Sequence, residues 1–147
     1  MGSVIREARP GDIPSMVRMA GLFIAASGTD LPFDPVYVDN SIRAHMVRPH
    51  ALSLVLDVDG EARGMLCAAA ARSPLAPITI ADELVWWIDV ECRGRAAMKM
   101  LREYEAWARR MGCVRVGMSA LPNTHIAKIY ERMGYAPAEV HYSKAVT

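Results

Sequence analysis

The segment Val90-Glu91-Cys92-Arg93-Gly94-Arg95-Ala96-Ala97-Met98-Lys99 carries the residue types that hold an anion. It leads from a strongly apolar stretch into an amphipathic one. The first turn of a helix leaves backbone N–H groups unpaired, and the dipole there favours negative charge. Gly94, Ala96 and Ala97 are small, so a bulky phosphate can approach the backbone. From Arg93 to Arg115 there are seven basic residues and two acidic ones, Glu103 and Glu105. The expected ligand is the phosphate portion of a soluble cofactor. Neither GxxxxGK[ST] nor GxGxxG is present, which excludes the P-loop and the dinucleotide fingerprint. The competing reading is a solvated, arginine-rich helix start that binds nothing.

A second group of candidates lies just upstream. Glu83 opens the stretch Glu83 to Val90, and simple alternation puts Val85 and Trp87 on its side. A carboxyl beside aromatic rings has a raised pKa, which suits a general base working near neutrality. A solvated carboxylate is the competing reading, with Asp82 and Asp89 as alternative bases. Trp86 and Trp87 point to opposite faces, one for the core and one for a site. Cys67, Cys92 and Cys113 have no CxxC spacing and read as reduced thiols, Cys92 as a small filler. His45, His50, His125 and His141 are scattered and read as non-catalytic. No metal site is expected.

The elements that must position these residues follow from punctuation and period. Val4 to Ala8 reads as a strand. Asp12 caps a helix that Gly28 ends, with Val17, Ala20 and Ile24 on its apolar side. Leu31 to Pro35 is a loop, and Val36 to Met46 a second helix that Pro49 stops. Leu52 to Val58 and Ala62 to Ala71 form a hairpin about Asp59-Gly60. Arg72 to Ala81 reads as a loop and Glu83 to Val90 as a central strand, because both its faces are apolar. Ala97 to Met111 is a helix with Ala97, Leu101, Tyr104, Ala108 and Met111 on one face. Cys113 to Met118 is a strand. Asn123 caps a short helix carrying Ile126, Ile129, Tyr130 and Met133, and Tyr135 to Ala145 closes as a strand or hairpin-like pair. The sum is an α/β fold, a mixed sheet with helices packed on it, in a single domain covering 1–147.

Composition bounds the function. The 147 residues are 52% apolar and 22% charged, with a net charge of +1. Such a chain exerts no global pull toward nucleic acid or an anionic membrane. No run is long enough to span a bilayer, and the start has no signal-peptide core. A cytoplasmic location is expected.

Together these residues resemble the GNAT acyltransferase family. Ile5 to Pro14 is similar to that family's opening strand and helix. The strand from Glu83, followed by Arg93-Gly94-Arg95, is similar to its pyrophosphate-binding region. Asn123, Tyr130 and Gly134-Tyr135 match its late segment, and Glu-Leu-Val-Trp-Trp is similar to divergent phage-borne members. The family's pattern, counted from Arg93, has Gly where Ala96 stands here and Gly or Ala where Met98 stands.

The resemblance implies a central, mostly antiparallel mixed sheet and transfer of an acetyl group from acetyl-CoA to a primary amine by direct attack. It assigns cofactor binding to Ile88, Val90, Arg93, Gly94, Arg95, Ala96, Ala97, Met98 and Asn123. It makes Tyr130 the general acid at the departing sulfur and keeps Glu83 as base, directly or through water. Phe33, Tyr37 and Trp87 become the acceptor-side candidates. The implied partner is a small-molecule, peptide or protein amine, and a homodimer is the family's habit. Two alternatives stand beside this reading. One is a GNAT-fold interaction module with weak or no activity. The other is a nucleic-acid-directed transferase, against which the near-neutral charge argues.

Overall fold

The computed structural model describes residues 2–122 and 124–147. Five strands form one mixed sheet in chain order: β1 (Ser3–Glu7), β2 (Ala51–Val58), β3 (Glu61–Arg72), β4 (Thr79–Ile88) and β5 (Cys113–Gly117). All neighbours are antiparallel except β4 and β5, which run parallel. The helices are α1 (Ile13–Ser27), α2 (Pro35–Met46), α3 (Arg95–Arg110) and α4 (Ile126–Arg132). None is long and apolar enough to cross a membrane.

The hairpin forms where Asp59-Gly60 predicts it. Both residues have positive φ, +52° and +90°, the geometry of a two-residue turn that matches strand twist. The Asp57 carboxylate accepts the Gly60 N–H at 2.7 Å and fixes the turn. β2 and β3 then alternate their side chains between two cores. On one face Val55, Met65 and Cys67 meet Met16 and Met19 of α1. On the other, Leu52, Leu54, Leu56, Leu66 and Ala68 meet Met100, Leu101, Tyr104, Trp107 and Ala108 of α3. Each buried Val, Leu or Met among them contributes about 1.5–3 kcal/mol.

Several expectations need correction. The fully buried residues of α1 are Ile13, Met16 and Met19; Val17, Ala20 and Ile24 are half-buried, with Ala20 packed against the same core. This helix is apolar nearly all round, so period alone does not choose its inner face. Asp12 sits at the N-cap position of α1 but does not cap it. Its carboxylate turns back to the Arg9 N–H at 2.7 Å and takes a two-pronged grip from Arg6, at 2.7 and 3.0 Å. The expected loop Arg72 to Ala81 is shorter, because β4 begins at Thr79. β4 is not central either: β3 is the middle strand, and β4 is next to the edge. Residues 135–147 hold no strand and are exposed beyond Tyr135. The cap expected of Asn123 lies outside the described residues, and α4 starts at Ile126 with His125 at its N-cap position. The buried His45 is structural, its Nε2 3.0 Å from the Leu52 carbonyl oxygen.

At the end of β4 a buried carboxylate ties three elements together. Asp89 accepts from Arg18 of α1 at 2.9 and 3.2 Å, and from Arg63 Nε of β3 at 2.6 Å. It also accepts from the Trp87 indole at 2.9 Å. Burial would push this carboxyl up, but the three donors outweigh it and hold it down at about 2. Asp89 is therefore a poor base near neutrality. A depressed carboxylate contributes stability above its unfolded value and loses it as pH falls toward the folded one. Asp89→Asn should destabilise the fold by about 2–4 kcal/mol at pH 7, measured by urea unfolding. The gap between the two proteins should close as pH is lowered from 5 toward about 2.

Candidate active site

The sheet opens between β4 and β5. Their pairing runs from Thr79 opposite Cys113 to Asp82 opposite Gly117 and stops there. β5 ends at Gly117 while β4 continues to Ile88 on the support of β3 alone. Gly117 stands at the closing point against the Asp82 side chain, whose carboxylate would have to turn aside for a Cβ there. Past it, the backbone groups of the segment that leaves β5 need partners other than β4.

Two side chains supply them, and both were candidates. Glu83 Oε1 accepts the Ser119 N–H at 2.9 Å, and the Tyr130 hydroxyl donates to the Ser119 carbonyl at 2.6 Å. Tyr104 similarly donates to the Gly117 carbonyl at 2.9 Å. Glu83 reaches this place because of a bulge. Ala68 pairs with Glu83 and Cys67 with Val85, so Leu84 has no partner on β3. The extra residue moves Glu83 onto the face of Trp86, away from Val85 and Trp87, where alternation put it. That face carries Leu66, Ala68 and Tyr130.

The surroundings set the protonation of both groups. Burial raises the Glu83 carboxyl above the usual carboxylate range, against the Ser119 hydrogen bond that lowers it. Burial, reinforced by the Glu83 charge, pushes the Tyr130 phenol well above its ordinary value. Tyr130 thus keeps its proton at neutral pH. Its ring packs between Trp86, at 6.1 Å between centroids, and Tyr135, at 5.7 Å.

The anion-binding candidate lies beyond the C-terminal end of β4. A 3₁₀ turn, Val90–Cys92, joins the strand to α3. Ile88 is buried at the strand end, and Val90 stands exposed in the turn, outside the strand predicted for it. Gly94 occupies the N-cap position with φ +126° and ψ −125°, which only glycine adopts without strain, and no side chain caps the helix. Arg93, Gly94 and Arg95 are exposed, Ala96 and Met98 half-buried, and Ala97 buried. Arg93 is already partly committed. Its Nε donates to the Ile88 carbonyl at 2.7 Å, and its guanidinium lies 4.8 Å from the Trp87 ring centre. Its terminal nitrogens make no hydrogen bond among the described residues.

The remaining candidates sit elsewhere. Trp87 packs on the α1 side with Val85. Phe33 and Tyr37 flank the start of α2, both exposed, with the Phe33 ring against Gly21 of α1. Asn123 lies outside the described residues. Cys67 is buried, its thiol pushed up to about 11. Among the described residues no group of His, Cys, Asp and Glu could hold a metal ion. Ser119 was missed because nothing in its type marks a residue whose two backbone groups close a seam. Tyr104 was read only as core.

A mixed sheet parted in this way, with a helix start at its mouth, defines an N-acyltransferase type of fold. The chain belongs to the GNAT acetyltransferase family: the model of that family matches residues 20–135. Solved structures agree on the fold. A transcriptional regulator from Bacillus halodurans superposes with a TM-score of 0.83 at 17% identity, covering 99% of this chain and 100% of that one. A predicted acetyltransferase from Clostridium acetobutylicum, solved with acetyl-CoA, gives 0.81 at 12% identity, covering 98% and 96%. An aminoglycoside antibiotic 6'-N-acetyltransferase from Acinetobacter baumannii gives 0.77 at 18% identity, covering 99% and 100%. No curated protein sequence matches the chain significantly.

A raised carboxyl makes its own stability signature. With a folded pKa above the unfolded one, stability is fully present below the unfolded value and declines as pH rises through the folded value. Glu83→Gln keeps an oxygen for Ser119 and removes the ionisation. The variant should gain in melting temperature relative to the parent as pH rises from 5 to 8. A constant difference across that range would show that Glu83 titrates normally.

Proposed function

We propose that this protein is an acetyl-CoA-dependent N-acetyltransferase that acts on a primary amine by direct attack. The observation that carries the reading is the convergence of Glu83 and Tyr130 on Ser119, at the point where β4 and β5 part. The open seam fits an extended cofactor arm, and the uncapped, glycine-led start of α3 fits its phosphates. Arg93, Gly94, Arg95, Ala96, Ala97 and Met98 would hold that end, with Ile88, Val90 and Asn123 beside them. Bound acetyl-CoA would supply the activated acyl group.

The protein's own groups then handle the protons. Glu83, with its affinity for protons raised, takes one from the amine, directly or through water. Tyr130 keeps its proton until the sulfur departs and gives it there. Phe33, Tyr37 and Trp87 are the acceptor-side candidates. The acceptor is a small-molecule amine or an amine of a peptide or protein. The aminoglycoside activity in the name of one structural relative belongs to that class. We place the protein in the cytoplasm as a single domain, without membrane or nucleic-acid partners and with a homodimer as its assembly. Ala96 and Met98, both half-buried in the first turn of α3, are the residues that favour the second reading, a GNAT-fold interaction module.

Calorimetry separates the two readings. Acetyl-CoA should bind, and absence of binding at millimolar concentration would leave the interaction module. Arg93→Ala should weaken acetyl-CoA about tenfold, near 1.4 kcal/mol, and weaken a pantetheine analogue lacking the phosphates much less. Because both ligands meet the same variant, the structural cost of losing the Ile88 and Trp87 contacts cancels. Tyr130→Phe should lower kcat by about 10²-fold or more while the Kd for acetyl-CoA changes little. Unchanged turnover across the pH profile would remove Tyr130 as the acid.

A further inference from the structure

Trp86 and Trp87 are neighbours on β4, and their indole N–H groups have opposite fates. Trp87 gives its proton to Asp89 at 2.9 Å. The Trp86 nitrogen is sealed from solvent and meets no acceptor, alone among the buried side-chain nitrogens and oxygens of the described residues. An unmade buried hydrogen bond costs about 1–3 kcal/mol, and native proteins seldom keep one without a use. The location points to that use. Trp86 stacks on Tyr130 with ring centres 6.1 Å apart. It pairs across from Leu66 as Glu83 pairs across from Ala68, so both share one face of β4. Both lie on the part of the strand beyond its last pairing with β5. The ring itself is only half-buried, which leaves it room to turn its N–H toward an arriving group.

We propose that Trp86 is a further catalytic residue, whose indole N–H donates to the carbonyl oxygen of the acyl thioester. The inference rests on the acetyltransferase reading given above and adds an oxyanion donor to it. As the amine nitrogen bonds to the carbonyl carbon, the C=O π pair moves onto oxygen, where the Trp86 N–H meets the growing charge. That pair returns as the C–S bond breaks. The sulfur leaves with the bonding pair and takes the Tyr130 proton, while the amine proton goes to Glu83. Once the ring has turned, the N–H meets the oxygen in a pocket of low dielectric, where a donor counts for more than in water.

The test is NMR on the ¹⁵N-labelled full chain, with backbone and indole signals assigned by triple resonance and titrated separately with acetyl-CoA and with CoA. Both ligands should shift the amides around Gly94. Only acetyl-CoA, which carries the acyl carbonyl, should move the Trp86 indole proton downfield. An indole shift that is equal with the two ligands, or absent while the Gly94 amides move, overturns the proposal and leaves the cofactor reading standing. No shift at Gly94 with either ligand overturns both. In kinetics, Trp86→Phe keeps an aromatic partner for Tyr130 and removes the donor. It should lower kcat by about 10²-fold with KM little changed; full activity in this variant also overturns the role.

Discussion

The parting of β4 from β5 is the constraint on which the rest of this molecule depends. A sheet that opens midway strands backbone N–H and C=O groups that cannot stay unpaired in a protein interior. Here the repair uses side chains. Glu83 takes the Ser119 N–H, Tyr130 and Tyr104 give hydrogen bonds to carbonyls, and Leu84 bulges out so that Glu83 faces the gap. The groups that could move protons are thus the same groups that hold the opening. Their shifted proton affinities come from the burial that this duty imposes.

Much of the framework was legible because it rests on local rules. Asp59-Gly60, Gly28, Gly112 and Gly134 all adopt the positive φ that their positions imply. The apolar face of α3 was readable because its period is strong and its other face is charged. What was not legible depends on long-range geometry. A one-residue bulge leaves no mark in composition, yet it reverses the face of every residue before it. That is why Glu83 was placed with Trp87 and is found with Trp86. The carboxylate of Asp12 was read as a cap, but a bidentate arginine from β1 competes for it. Asp89 looked like one more candidate base; two of its three donors, Arg18 and Arg63, are distant in the chain, and only Trp87 is a near neighbour.

Arg93 shows how one residue can serve structure and recognition together. Its Nε and its flat face secure the turn between β4 and α3, through the Ile88 carbonyl and the Trp87 ring. A lysine would supply the charge without the plane or the fixed fork. The departure from small residues at Met98 falls in the first turn of α3, where a flexible side chain can adapt to what it meets.

The three tryptophans occupy unlike surroundings. Trp107 is buried in the α3 core, Trp86 is stacked on a tyrosine, and Trp87 lies between a guanidinium above and a carboxylate at its nitrogen. A charge so close to an indole alters the energy of its excited state. The light this protein emits therefore carries separable contributions from the seam, from the mouth and from the packed interior. The molecule has an optical reporter on each face of β4 without any added dye.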